Sequence, residues 1–352
     1  MDMEEFYVCK DQSRFMYDAG ADQEVFEYIF QTAFKDSASL NKNVFFTSYL
    51  SWTGKVRELA LGDIGPDLVK DMLTGRWGLV TNWANLQVVD EIGAFEWVLA
   101  KFRIGEVHGA VIPLRCEFYQ LSESGDRKLV AIVEQDTTWV EIVGHGKVRP
   151  ADFPSYLASY LSVMRQKKNQ MVDKLESLGR YKKLSTGELL YKQEFIPVGM
   201  PVAHDGRFLT SLEESNLVGN VYYGNYFIWQ GRVRDRMLYE AYPDWFTQYE
   251  YASEMVCTHS RLNYLRDAMP FDEVVVEMSV TGVWENKVDF VFQYYRILEK
   301  GAREKLAVGY QTAYCVGRSE GGNVRATAIP EQVLGRLIEK LNNVSSAIGG
   351  VQ

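Results

Sequence analysis

Histidine and cysteine are scarce: four of each in 352 residues. Cys9, Cys116, Cys257 and Cys315 are scattered, with no C-x-x-C pair and no Cys/His spacing suited to zinc. They read as buried free thiols, and neither a metal nor a cofactor is expected. G-x-S-x-G, H-E-x-x-H, a phosphate-binding loop and G-x-G-x-x-G are all missing, which removes the usual serine, zinc, nucleotide and dinucleotide chemistries. Positive charge is also short. A formal net charge of −9 opposes phosphate neutralisation, so nucleic acid is not an expected partner. No apolar run approaches the roughly 18 residues of a membrane span, and the acidic opening MDMEEF has no apolar stretch behind it, so no signal peptide or membrane anchor is expected. The expected location is cytoplasmic. Asn343-Val344-Ser345 matches a glycosylation sequon and reads as tail sequence.

What is present is a repeat. NVFFTSYLSWTGKVRELAL (Asn43 to Leu61) and NVYYGNYFIWQGRVRDRML (Asn220 to Leu238) share eight identical positions, where unrelated sequence would share roughly one. The offset, 220 − 43 = 177, divides the chain into two similar halves, in line with a prior of roughly 150 residues per domain. A hydrophobic fraction of 47% with 13% aromatic residues is enough to fill two cores or line a large apolar pocket.

Each half follows the same course after the shared segment. In the second, a helix closes near Pro243 and strands are predicted over Phe271–Val280, Val288–Leu298 and Lys305–Val316, the last two joined at Lys300-Gly301. In the first, strands are predicted over Phe95–Arg103, Ala110–Leu121 and Leu129–Val143, with Ser124-Gly125-Asp126 as the matching turn. Tyr222, Tyr226, Trp229, Val233 and Met237 fall at steps of four and three, an apolar stripe on one side of a helix. A long helix wrapped by a curled antiparallel sheet is the hotdog arrangement, so the expected class is α+β, a double hotdog forming a pseudo-dimer within one chain. Further homodimerisation stays open. The expected domains are 1–143, a helical linker 144–188, 189–330, and a C-terminal helix and tail 331–352.

Phe153 to Leu178 reads as the linking helix, ended by Gly179. Arg165, Lys167, Lys168 and Lys174, then Arg180, Lys182 and Lys183, make its polar side basic. This is either a solvated face or a docking surface for an acidic partner, such as an acyl carrier protein. A last helix is predicted over Glu331–Leu341, with frayed residues after it.

The stretch from Ser211 to Asn220 leads into the second shared segment. The start of that helix offers N–H groups and the positive end of the dipole, so a carbonyl oxygen placed at Gly219, Asn220 and Val221 would be polarised there. Asn216 and Asn220 as plain helix caps are the competing reading. The segment EESNLVGNVYYGNYFIWQGRVRDRML, continuing through CTHSRLNYLRDAMPFDEVVVE, resembles the hotdog thioesterases of the 4-hydroxybenzoyl-CoA thioesterase-like superfamily, and within it the small thioesterases serving enediyne polyketide synthases. The likeness covers roughly Leu190 to Val316, and the first half shares it only through the repeat.

The resemblance implies thioester hydrolysis. In the wider superfamily an Asp before the helix acts as base or nucleophile; here that position is Asn216, as in the enediyne branch, and an amide takes up no proton at neutral pH. The implied route has no carboxylate there. Asn216, Tyr226 and Arg234 would position water or hydroxide and the thioester. Tyr226 and Arg234, eight residues apart, differ by about 80° around a helix and are able to border one channel. A structural ion pair of Arg234 with Asp235 or Glu240, and a core role for Tyr226, compete with this.

Tyr222, Tyr223, Trp229 and His259 are the candidate substrate contacts, and Phe227 and Phe292 would also suit a flat conjugated chain, although core packing explains each equally. The first-half counterparts are Ser39, Tyr49 and Arg57, with Lys42 in the place of Gly219, which points to one working site and one degenerate partner. The expected activity is release of a carrier-bound polyketide, a β-keto polyene, with loss of carbon dioxide from the freed acid. The alternatives are a carrier-bound acyl dehydratase or isomerase, for which His204 and His259 are the nearby histidines, and a non-catalytic acyl-binding accessory protein.

Overall fold

A computed structural model describes the chain apart from residues 1–11, 20–21, 39–42, 145, 166–179, 196–199, 247–252, 319–323 and 349–352. Two compact units emerge: Met1–Lys183 with the short segment Asn216–Gly219, and Leu184–Ser215 with Asn220–Gln352.

In the first unit the strands are β1 (Gln12–Asp18), β2 (Gln23–Gln31), β3 (Trp77–Val88), β4 (Trp97–Ile104), β5 (Val111–Leu121), β6 (Arg127–Gly144) and β7 (Lys147–Pro150). Neighbouring strands are antiparallel in the order β1-β2-β4-β5-β6-β3, with β7 also on β6. Helix α1 (Phe46–Leu59) packs against β3, β4 and β6 through a face that includes Tyr49, Leu50, Trp52 and Val56. Two short helices complete this unit, α2 (Gly65–Leu73) and α3 (Ser155–Met164).

The second unit holds β8 (Leu189–Lys192), β9 (His204–Leu209), α4 (Tyr223–Ala241), β10 (Glu254–Tyr264), β11 (Glu273–Trp284), β12 (Lys287–Ile297), β13 (Arg303–Arg318), β14 (Val324–Ala326) and α5 (Glu331–Ile348). Its antiparallel order is β9-β11-β12-β13-β10, which matches β2-β4-β5-β6-β3 strand for strand. β8 pairs with β11, and β14 with β13. Along β12, Val288, Phe290, Phe292 and Tyr294 are buried as their alternation requires. On α4 the stripe of Tyr226, Trp229, Val233 and Met237 is buried, and the helix lies against β9, β10 and β11.

The repeat extends to an unusual backbone feature. Phe95 and Phe271, 271 − 95 = 176 positions apart, both hold positive φ (61° and 72°) just ahead of β4 and β11. Bulky residues rarely accept that conformation, so the same strained turn in both units ties them together at backbone level.

Several expectations require correction. The linking helix stops at Met164: Arg165 is extended and bridges to Ile104, and buried Gln23 donates to the carbonyls of both Ile104 and Met164 (3.2 Å each), so a tertiary contact satisfies the helix end. Lys167, Lys168 and Lys174 lie outside the described residues, as do the side chains of Arg180 and Lys182. The final helix runs on to Ile348 instead of fraying after Leu341. Six strands were not anticipated ahead of the predicted ones, among them the β1–β2 hairpin and the pair β3 and β10.

Candidate active site

The chain approaches α4 through a pinned loop. Glu214 Oε2 accepts the Ser211 N–H, and the Glu214 carbonyl accepts both the Tyr222 N–H (2.7 Å) and the Asn225 side-chain amide (2.9 Å). Gly219 has φ +91°, a turn that an L side chain resists, which explains why glycine stands there. Its counterpart Lys42 lies outside the described residues, together with Ser39.

Asn216 groups with the first unit. Its Oδ1 accepts the Val218 N–H (2.9 Å), an Asx turn, and its carbonyl accepts the Gly219 N–H (2.9 Å). It is not the cap of α4: that place belongs to Tyr222, which makes no side-chain capping bond. The backbone donors proposed for an oxyanion are partly spent, since the Gly219 N–H goes to Asn216 and the Val221 N–H to the Ala268 carbonyl (2.8 Å). Asn220, the third of them, is 8% exposed, and its side-chain amide donates to the Asp267 carboxylate while Oδ1 has no partner among the described residues.

Tyr226 and Arg234 share α4 but spend their polar ends apart. The Tyr226 hydroxyl accepts the Ala268 N–H (2.9 Å), and its carbonyl accepts the Tyr294 hydroxyl (2.9 Å). Burial holds the phenol well above its ordinary range, so it stays protonated. Arg234, 2% exposed, donates through Nη1 to Gln311 Oε1 (3.1 Å) and through Nε and Nη2 to Asp235 Oδ1 (2.9 and 2.7 Å). The ion pair with Asp235 is therefore made, while Glu240 instead takes Arg236 (2.6 Å).

Beside Arg234, Gln230 Oε1 accepts the Ser260 hydroxyl (2.7 Å), and its Nε2 lies over Gly309. Gln311 went unremarked in the sequence because a lone Gln in a strand carries no signal.

The candidate substrate contacts divide. Trp229 is wholly buried, stacked on Phe208 (5.5 Å between centroids) and tilted on Tyr226, which makes it core. Phe227 and Phe292 are likewise fully buried. Tyr222 is partly exposed and packs on Tyr223 (4.7 Å), whose carbonyl accepts the Tyr264 hydroxyl. His259 needs correction: Ser260 faces α4, so strand alternation turns His259 to the opposite face of the sheet, opposite Thr312. Burial also lowers its pKa, keeping the imidazole neutral.

The first unit is not a copy in detail. Tyr49 is buried near Asp90, Glu91 and Glu96, which with desolvation hold its hydroxyl protonated. Gln135, in the place of Gln311, has both amide atoms buried without a partner among the described residues, so the bond that Arg234 makes to Gln311 has no equivalent from Arg57. Cys116, Cys257 and Cys315 are free and buried, and burial pushes the last two thiols up to about 12; Cys9 lies outside the described residues. Among the described residues no cluster of three His, Cys, Asp or Glu side chains is arranged to hold a metal, and no helix is long and apolar enough to cross a membrane.

Residues 211–337 match the sequence profile of the Thioesterase-like superfamily. No curated protein matches the chain in sequence. Among solved structures, the chain is similar to the 12:0-ACP thioesterase of Umbellularia californica at TM-score 0.58 and 10% identity, covering 83% of this chain and 97% of that one. A putative oleoyl thioesterase of Lactobacillus plantarum gives TM-score 0.54 and 11% identity over 84% and 98%. The dynemicin thioesterase is 27% identical over 39% of this chain and 95% of that one, at TM-score 0.36. The fold is thus the hotdog-like fold of thioesterases, and the thioesterase-like pattern lies in the segment that holds Asn216, α4 and the strands after it.

Proposed function

We propose that the protein is an acyl-carrier-protein thioesterase that hydrolyses a polyketide thioester, a β-keto polyene, and that its two units are tandem hotdogs of which the second carries the working site. The observation that carries this reading is the thioesterase-like match over residues 211–337, which includes Asn216, Tyr226 and Arg234. In this scheme the positive end of α4 polarises the thioester carbonyl, Asn216 orients water, and the Arg234 guanidinium favours hydroxide and the enolate-like β-keto group by charge. The freed β-keto acid then loses carbon dioxide. The first unit, with Ser39 in the place of Asn216, is the degenerate partner.

The partner is a carrier protein or carrier domain, drawn to the basic stretch that begins at Arg165. A net charge of −9 sets the protein against nucleic acid and anionic membrane surfaces. A cytoplasmic location, with no cofactor and with or without further homodimerisation, completes the proposal.

A carrier-bound dehydratase or isomerase would need a histidine facing a carboxylate. In the second unit His204 Nδ1 lies 3.8 Å from Glu240 Oε2, but Glu240 sits fourteen residues beyond Tyr226 on α4, about 21 Å along the axis from that tyrosine. Incubation with β-ketoacyl thioesters on a carrier protein, with quantitation of free thiol, tests the assignment. Stoichiometric thiol release and a free acid or methyl ketone are expected. A dehydrated chain still tethered, or binding with no turnover, would replace hydrolysis by the dehydratase or the accessory role.

A further inference from the structure

We propose that Asp267, on the loop between β10 and β11, is the general base of the second unit, supplying from a different element the carboxylate that position 216 lacks. This rests on the hydrolytic reading above and adds a residue to it. Asp267 is held at the mouth of α4 by the residue that follows it and by its own carbonyl. The next residue, Ala268, donates its N–H to the Tyr226 hydroxyl (2.9 Å), and its carbonyl accepts the Val221 N–H (2.8 Å). The Asp267 carbonyl accepts Arg296 Nη2.

The carboxylate itself has no cation within ion-pairing distance among the described residues. Arg296 spends Nε on Asp272 Oδ2 (2.6 Å) and Nη1 on Glu304 Oε2 (2.9 Å), and Arg266 also turns to Glu304 (3.3 Å). Among the described residues only the Asn220 side chain reaches Asp267, and the other end of that amide, Oδ1, is buried with no partner there. A structural carboxylate is ordinarily satisfied; this one is partly exposed to water and under-satisfied beside a second orphaned polar atom. Desolvation raises its pKa above the ordinary 3.8, against the opposing pull of Asn220 and the Arg296 charge, which brings it closer to what a base needs at neutral pH.

The first unit supplies the contrast. The bond from the Val44 N–H to the Ile92 carbonyl (2.8 Å) is the counterpart of that from Val221 to Ala268, so Glu91 stands where Asp267 stands. The buried Tyr181 hydroxyl donates to Glu91 Oε1 (2.8 Å), where Asp267 has the Asn220 amide instead.

Asp267 takes a proton from water as the water oxygen bonds to the thioester carbon and the carbonyl π pair moves to oxygen. The tetrahedral intermediate collapses by breaking the C–S bond, and the departing thiolate recovers that proton, leaving acid and thiol.

The experiment uses the full chain, with the N-acetylcysteamine thioester of a 3-oxoacyl chain as probe and thiol release followed from acidic to neutral pH. Asp267→Asn is expected to lower kcat/KM by at least about tenfold at pH 7 and to remove the acid limb of the wild-type profile. Asp267→Glu should keep that limb at a shifted position, and Glu91→Gln should stay within about twofold of wild type.

Thermal unfolding separates base from scaffold. A carboxyl with a raised folded-state pKa stabilises the fold below 3.8 and loses that contribution as pH rises through the folded value, so Asp267→Asn should melt at or above the wild-type temperature at pH 7. A rate within tenfold of wild type, a retained acid limb, or lower activity that merely tracks a lower melting temperature overturns the role of Asp267 alone. No thiol release from wild type overturns the hydrolytic reading, and the base with it.

Discussion

Arg234 carries the most concentrated polar chemistry on α4, and its variants divide structure from turnover. Arg234→Ala removes a buried side chain and leaves the Gln311 amide oxygen unpaired, a loss of about 1–3 kcal/mol of stability together with abolished thiol release. Arg57→Ala, whose counterpart contact to Gln135 is not made, is expected to keep at least half of the activity. Asn216→Ala should abolish turnover with a smaller stability loss, since its Asx turn is one local bond. Thiol-release rates beside urea unfolding curves check all three; equal losses at Arg234 and Arg57 would remove the asymmetry between the halves. Tyr226 shows how a residue serves two ends at once: its ring fills core and its hydroxyl closes the Ala268 turn. Tyr226, Arg234 and Arg57 were readable from the shared segment and Asn216 from the stretch just ahead of it, but their partners were not, because Gln311 and Ala268 come from strands and loops distant in sequence.

At the scale of elements, the close approach of α4 to β9 is set by one missing methyl group. A Cβ on Gly206 would sit 2.9 Å from Val233 Cγ2 and 3.1 Å from the Phe208 ring, and Val233 is buried and stiff at χ1. Gly206→Ala should therefore cost about 1–3 kcal/mol, read as a lower denaturation midpoint at unchanged m-value. The strands most visible in the sequence, such as β12, are those with strict alternation. The β1–β2 hairpin escaped notice because exposed Phe15, Met16 and Tyr17 interrupt the pattern that a half-buried strand normally shows. Helix α3 ends where Gln23 takes its last carbonyl, a stop signal supplied by another element instead of by the helix's own residues.

For the whole molecule, the segment Asn216–Gly219 belongs with the first unit although its chain neighbours belong with the second. Within that unit Val218 presses on β3: a Cβ at Gly78 would lie 2.9 and 3.1 Å from the Val218 methyl groups. Val218 also holds the Asn216 side chain through its N–H, so Gly78→Ala, remote in sequence from every candidate catalytic residue, is expected to slow thiol release several-fold while leaving the helix and strand content unchanged. Activity assays beside circular dichroism check this. Full activity in Gly78→Ala would mean that the loop tolerates displacement.

The duplication, the helix stripe and the alternating strands were determined by the sequence alone, because identity at matching positions and apolar periodicity are local properties that survive without coordinates. Which polar atoms are paired and which are left wanting was decided only in three dimensions. Burial and hydrogen bonding depend on what the fold brings alongside: Asp267 against Asn220, Arg234 against Gln311, His259 turned away from α4. Two chemically similar carboxylates, Glu91 and Asp267, differ because a tyrosine hydroxyl reaches one and an asparagine amide reaches the other.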